Sequence, residues 1–417
     1  MAKYKISGGR RLEGTVQVSG SKNASLPILA ACLLNGEVNT VYGIPRLRDI
    51  MVMQELLRYL GGNVAWEGNV MTIDSKNIKS KKISEILMRR MRASNLVLGP
   101  LLSRFGRVEM AYPGGCQIGT RPMDLHIKGI QALGAVTTEK HGYIIAEADE
   151  LVGAEIHLDV PSVGATENIM MAAVFAKGQT VIRNAAREPE IVDLQKFLNS
   201  IGADVRGAGS DTIKIRGVKL LKAGQHKVIP DRIEAGTHMV AAAVTRGDIT
   251  IENIIPDHME PVTAKLKEAG IPVYVREDSI RVCCDRRPVP VDIKTMPYPG
   301  FPTDMQPQLM VLMCIASGTG IVTETVFENR YKHVAELRRM GADIRVEGQT
   351  AIVKGVKCLS GACVEATDLR AGAALVLAAL AADNGSVIEK VMHIERGYES
   401  LESKYSSLGA NIVRVHD

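Results

Sequence analysis

The sequence predicts an α/β protein of two domains, each a cluster of three repeated units in which buried helices are enclosed by sheets. Three observations carry this. A chain of 417 residues exceeds the size at which a single hydrophobic core keeps growing, so at least two domains are expected. An apolar or small residue followed by glycine recurs at Leu60-Gly61, Leu133-Gly134, Ile201-Gly202, Ala269-Gly270, Met340-Gly341 and Leu408-Gly409, in steps of 73, 68, 68, 71 and 68 residues, which marks internal duplication. Each unit also holds one helix that is apolar all round and one that is amphipathic, and a helix of the first kind must be enclosed by protein.

The first helix of the units is read from runs such as Ala30-Ala31-Cys32-Leu33-Leu34, Met239-Val240-Ala241-Ala242-Ala243-Val244 and Ala373 through Leu380. Glycines at 36, 106, 178, 247, 318 and 385 follow these runs and are expected to be left-handed C-terminal caps. Next come β-branched strands, Thr180-Val181-Ile182, Asp248-Ile249-Thr250-Ile251 and Gly320-Ile321-Val322. The amphipathic helix follows, as in Ile191 through Leu198, and should cover a sheet with one face wet. The seam between the third and fourth units falls near Val228-Ile229-Pro230-Asp231.

Composition narrows the function classes. With 46% hydrophobic and 23% charged residues the chain reads as globular, and five Phe with one Trp leave the interior to aliphatic side chains and Met. A net charge of +5 is modest at this length, and the dense basic stretch from Lys76 to Arg92 has no interleaved aromatics to stack bases, so nucleic acid is not expected. Seven cysteines, an odd number without zinc-ligand spacing, fit a reducing cytoplasm, and neither a metal nor a cofactor is expected. Cys32 and Cys314 are expected in the core. No signal-peptide pattern and no apolar run of about 18 residues is seen, so neither export nor membrane spanning is expected.

The buried helices start at Ser21-Lys22-Asn23, Ser162-Val163-Gly164, Asp231-Arg232, Thr303-Asp304 and Thr367-Asp368-Leu369-Arg370. Helix starts carry unpaired amides and partial positive charge, so these segments are either ordinary N-caps or the wall of an anion site. Lys22 and Arg370 point to a bound anion, because a cation there opposes the local dipole. Asp304 is either a cap or a carboxylate facing a substrate. Cys116 lies in Tyr112-Pro113-Gly114-Gly115-Cys116-Gln117-Ile118-Gly119 with Arg121 nearby. That is either a plain surface loop or a displayed thiol whose thiolate a guanidinium favours. A thiol acid and a carboxylate base would suit proton traffic.

Taken together, Ser21-Lys22-Asn23-Ala24, Met91-Arg92-Ala93-Ser94, Pro113-Gly114-Gly115-Cys116, Gly119 through His126, Glu188 through Asp193, Pro302-Thr303-Asp304, Phe327-Glu328-Asn329-Arg330 and Glu395 through Glu399 resemble the motifs of the bacterial UDP-N-acetylglucosamine 1-carboxyvinyltransferases, in that family's order. The resemblance covers the whole chain. It implies an inside-out α/β barrel of two domains, residues 22–229 forming one and residues 1–21 with 230–417 the other. It further implies that phosphoenolpyruvate gives its enolpyruvyl group to the 3′-hydroxyl of UDP-N-acetylglucosamine with release of phosphate, opening peptidoglycan synthesis.

By matching positions the resemblance makes Cys116 the acid and Asp304 either the base or the group that orients the hydroxyl. Lys22, Arg121 and Arg396 look like the clamp on phosphoenolpyruvate, with Asn23 donating beside Lys22. Arg92, Arg121, Pro122, Met123, Asp124, Leu125, Asp304 and Val326 match nucleotide-sugar contacts, and Arg370 matches a position near the second substrate. The Cys116 loop is then a lid, and the epoxide antibiotic fosfomycin is expected to alkylate its thiol. Val160-Pro161-Ser162-Val163 departs from the pattern, since many relatives carry lysine before this Ser-Val-Gly. The rival readings are the sister transferase acting on shikimate 3-phosphate, which lacks the Pro-Gly-Gly-Cys loop, a nucleotide-sugar sensor without chemistry, and a thiol redox protein.

Overall fold

The computed structural model describes residues 2–416 except 81, 115–118, 120 and 121. They form an α/β fold that divides into two compact units, one from the N-terminal segment up to Ser19 together with Pro230 onward, the other from Gly20 to Ile229, leaving aside residues 115–121. The first crossing thus falls two residues before the boundary expected at Lys22.

In the unit from Gly20 to Ile229 the apolar helices are Lys22–Ala31, Leu98–Phe105 and Val163–Ala173, and the amphipathic ones Arg48–Tyr59, Asp124–Ala132 and Pro189–Ser200. Each apolar helix leads into a strand, each amphipathic helix into a hairpin, and strand and hairpin share an antiparallel sheet. A fourth, parallel strand completes two of the three sheets: Glu155–His157 beside Gln179–Arg183, and Gln225–Lys227 beside Val38–Tyr42. In the third sheet its place is taken by the single bridge Ile83 to Met110. Because Gln225–Lys227 returns to the first strand of the unit, the last residues before the seam are tied to its beginning.

The other unit repeats the plan with apolar helices Arg232–Val244, Gln306–Cys314 and Leu369–Ala381 and amphipathic helices Glu260–Glu268, His333–Arg339 and Leu401–Ser407. Its three sheets have four strands each. Ala2–Ser7 lies between Gly385–Glu389 and Asn411–His416, and Glu13–Gln17 runs parallel to Asp248–Glu252, so the N-terminal segment supplies strands to two sheets of this unit.

Helix crossings depend on missing Cβ atoms. A Cβ on Gly99 would lie 2.2 Å from the Asn168 carbonyl oxygen, and one on Gly129 would lie 2.3 Å from Ile169 Cδ1. Backbones in this core therefore approach more closely than any larger residue permits. Cys32 and Cys314 are fully buried, as expected. The glycine markers divide. Gly61, Gly134, Gly202, Gly270, Gly341 and Gly409 all have positive φ, between 77° and 105°. Of the other series only Gly36, Gly106 and Gly178 do, while at the fourth and sixth positions Arg246 and Asn384 take the left-handed turn one residue earlier. Gly247 is required for a different reason, since a Cβ there would meet the Leu12 carbonyl oxygen at 2.3 Å.

Candidate active site

Four helix starts are capped as ordinary helices are. Ser21 accepts from the Ala24 amide, Ser162 from Ala165, Asp231 from Ile233 and Glu234, and Asp368 from Arg370 and Ala371. The side chains left for chemistry are those beside the caps.

In the unit from Gly20 to Ile229, Lys22 and Asn23 occupy the first turn of their helix. Lys22 is 9% exposed, and its Nζ lies 3.4 Å from Asp49 Oδ2, itself in the first turn of Arg48–Tyr59. Part of the negative charge that the Lys22 ammonium calls for is thus the protein's own, a partner the sequence did not single out. Asn23 is half-buried, as is Arg92, which opens a 3₁₀ helix, Arg92–Val97. Met123 is buried, and its sulfur accepts from Asn95 Nδ2 at 3.4 Å. Pro122 and Asp124 are exposed, and Leu125 is half-buried against the core.

Behind Arg92 and Met123 sits a polar knot. Asn168 Nδ2 lies 2.9 Å from His126 Nδ1 and donates to the Asn95 carbonyl at 3.1 Å, while its Oδ1 accepts from the Gly99 amide at 2.9 Å. His126 is 4% exposed, and burial together with the nearby Arg92 charge pushes its pKa down to about 3. The neutral ring therefore acts as a fixed hydrogen-bonding post beneath the Arg92 segment.

Cys116 and Arg121 lie outside the described residues. The strand leading to them, Arg107–Ala111, ends at Tyr112, whose amide donates to the Gly142 carbonyl, and the Gly114 amide donates to Met88 at 3.1 Å. A Cβ on Gly114 would fall 2.4 Å from the Arg89 carbonyl oxygen. This glycine is seated directly against the Arg89 backbone.

In the other unit Asp304 stands in a single 3₁₀ turn, Thr303–Met305, ahead of Gln306–Cys314. It caps no helix. Arg330 Nη2 donates to its Oδ1 at 2.9 Å, and Arg370 Nε donates to its Oδ2 at 3.1 Å. Both arginine side chains are nearly buried, at 1% and 3% exposure, whereas the Asp304 side chain keeps 26%. A carboxylate gripped on both oxygens by two nearly buried guanidiniums has a fixed direction. Burial alone would pull the Arg370 guanidinium down, but Asp304, then Tyr398 and Asp231, outweigh it and hold the group above the ordinary arginine value. The anion inferred from Arg370 is thus at least in part Asp304 itself. Beneath Arg370, Tyr398 Oη lies 2.9 Å from Thr237 Oγ1, and Gln308 Nε2 lies 3.2 Å from both oxygens.

Arg396 ends the 3₁₀ helix Val391–Arg396 and is half-buried, and Val326 is 39% exposed. Asp304 and Arg370 are therefore in direct contact, while Arg396 and Val326 stand on other segments of the same unit. Sequence reasoning quoted Arg330 within a motif but gave it no role; its burial beside Asp304 supplies one. Among the described residues no group of three or more His, Cys, Asp or Glu side chains could hold a metal ion.

Comparison with known proteins gives the class, that of the enolpyruvyl transferases. The sequence model of EPSP synthase (3-phosphoshikimate 1-carboxyvinyltransferase) matches residues 6–405. The enolpyruvyl transferase NikO from Streptomyces tendae superposes with a TM-score of 0.90 at 26% identity over 99% of both chains. EPSP synthase from Acinetobacter baumannii, at 19% identity and a TM-score of 0.77, shares the fold. UDP-N-acetylglucosamine 1-carboxyvinyltransferase 1 of Carboxydothermus hydrogenoformans is 57% identical over 416 residues, covering 100% of this chain and 99% of its own. The enzyme of that name from Geobacter metallireducens is 52% identical over 100% of both chains. The chain belongs to the EPSP synthase family and, within it, to the UDP-N-acetylglucosamine 1-carboxyvinyltransferases.

Proposed function

We propose that the chain transfers the enolpyruvyl group of phosphoenolpyruvate to the 3′-hydroxyl of UDP-N-acetylglucosamine with release of phosphate, the first committed step of peptidoglycan synthesis. The observation that carries this reading is the Asp304 carboxylate, fixed by Arg330 and Arg370 and still 26% exposed, in a chain 57% identical throughout to a relative of that name.

Cys116 gives its proton to C3 of phosphoenolpyruvate, which leaves C2 cationic and open to attack by the sugar oxygen. That hydroxyl becomes strongly acidic only as its bond to C2 forms, so Asp304 first aligns it and then receives its proton. In the second half the Cys116 thiolate takes a proton back from C3, the C2–C3 double bond returns, the C2–O bond to phosphate breaks, and the proton held by Asp304 leaves with the phosphate. Lys22, Arg121 and Arg396 hold the phosphate and carboxylate of phosphoenolpyruvate, with Asn23 beside Lys22, and this contributes through positioning as much as through charge. Arg92, Pro122, Met123, Asp124, Leu125, Val326 and Arg370 serve the nucleotide sugar and the space next to it.

The two compact units support a reading as two inside-out α/β domains, with apolar helices at the centre of each and sheets around them. Among the described residues no helix is long and apolar enough to cross a membrane, and a cytoplasmic enzyme acting on two soluble substrates without nucleic acid or cofactor is the proposed setting. The test is release of inorganic phosphate from phosphoenolpyruvate with UDP-N-acetylglucosamine, set beside shikimate 3-phosphate. Turnover with the second acceptor alone would move the chain to the sister activity.

A further inference from the structure

We infer that Glu324 is a positioning residue for the acceptor side of this reaction, holding the segment that carries Asp304 and the segment that carries Val326 in one register. Glu324 follows the strand Thr319–Thr323 and is 1% exposed. Its two oxygens serve three stretches of chain. Oε2 accepts from Thr303 Oγ1 at 2.9 Å, next to Asp304. Oε1 accepts from the Val326 amide at 2.8 Å, the Phe327 amide at 3.2 Å and Thr295 Oγ1 at 2.9 Å. Thr295 closes the arrangement, since its Oγ1 accepts from the Thr325 amide at 2.9 Å and its carbonyl from Thr325 Oγ1 at 2.5 Å.

The geometry separates two jobs. Arg330 and Arg370 fix where the Asp304 carboxylate points, but both act on the side chain. Glu324 acts on the backbone beneath it, through Thr303, and the same carboxyl group sets the turn that presents Val326. Two hydroxyl donors and two amides that lose this buried acceptor are left unpaired, and the turn must shift to recover them. Shifts of about 1 Å at a group that orients a substrate cost on the order of a hundredfold in rate. A turn that merely needed its amides satisfied would leave Thr303 out of the network.

This inference rests on the proposed roles of Asp304 and Val326 toward the nucleotide sugar. Calorimetric titration of UDP-N-acetylglucosamine into the native protein, Glu324→Ala and Glu324→Gln, with kcat and KM for both substrates, tests it. Glutamine can keep an oxygen toward Thr295, Val326 and Phe327 and turn its amide to Thr303, whose hydroxyl can accept. Glu324→Ala is expected to bind the nucleotide sugar about tenfold more weakly and to lose kcat, while the KM for phosphoenolpyruvate stays within about threefold, and Glu324→Gln is expected to restore most of the loss. If Glu324→Ala does not fold, Thr303→Val removes the Oε2 partner alone and should weaken nucleotide-sugar binding about fivefold.

Native binding and turnover beside an alanine variant with unchanged affinity and kcat would overturn this inference alone. So would a glutamine variant that falls as far as alanine for both substrates with a matching loss of thermal stability, since that is a purely structural role. A native protein that neither binds the nucleotide sugar nor releases phosphate would overturn the functional reading and this inference with it.

Discussion

Asp304 Oδ2 accepts from Arg370 Nε at 3.1 Å although the two residues are 66 positions apart, and the same carboxylate accepts from Arg330 on its other oxygen. Removing it leaves two nearly buried guanidiniums facing each other. Asp304→Ala is therefore expected to lower kcat on the order of 10³-fold, through loss of the group that aligns and deprotonates the hydroxyl, and also to cost about 3 kcal/mol of stability. Urea unfolding beside the kinetics would check both, and a variant as stable as the native protein would contradict the ion triad.

The thiol proposed as the acid is testable without any structure of its loop. Incubation with fosfomycin should add one inhibitor mass to Cys116, read by intact and peptide mass spectrometry, with loss of activity in proportion. The modification should be faster when UDP-N-acetylglucosamine is present. Full turnover and unmodified mass after prolonged exposure would contradict the role.

His126 gives a pH signature of stability. Burial, and secondarily Arg92, keep the folded ring neutral down to about pH 3, whereas an unfolded histidine titrates near 6.5. The unfolded state then binds the extra proton between those values, so this ring's contribution is intact above about pH 6.5 and is lost progressively as pH falls toward 3, by at most about 1.4 kcal/mol per pH unit. His126→Gln should flatten the fall in unfolding free energy between pH 7 and pH 4.5. An unchanged slope would contradict the neutral buried ring.

Two glycines should separate steric from conformational cost. At Gly270, φ is 77° and nothing lies within 4 Å of an added Cβ, so Gly270→Ala should cost about 1 kcal/mol from the backbone alone. At Gly99 the added Cβ would sit 2.2 Å from Asn168 O, and Gly99→Ala should cost about 3 kcal/mol or more as the helices are forced apart. Thermal unfolding of the two variants in parallel measures the gap, and equal losses would contradict the close crossing.

The plan of the fold was legible because duplication repeats its signals. One series of glycines takes left-handed turns at all six positions, each an apolar-residue-glycine step that only a residue without Cβ makes easily. The second series was legible in half its members, since Arg246 and Asn384 make the same turn with a side chain and left no glycine signal at that position. Asp304, Lys22 and Arg370 stood out as charges at helix starts. Their partners did not. Asp49 and Arg330 come from other segments, as does Glu324 beside Thr303, and only the tertiary fold brings a carboxylate to Lys22 or two guanidiniums to Asp304. Asn168 was hidden for the same reason, as a polar residue inside an apolar helix whose three contacts lie on three other elements.

The most direct measurement of the central claim is inorganic phosphate released from phosphoenolpyruvate by the native protein with UDP-N-acetylglucosamine, with Cys116→Ser and Asp304→Ala run alongside. The expected result is one phosphate per enolpyruvyl sugar formed, dependent on the nucleotide sugar, with both variants slowed by orders of magnitude. Phosphate release that does not depend on the nucleotide sugar, or variants that turn over at the native rate, would contradict it.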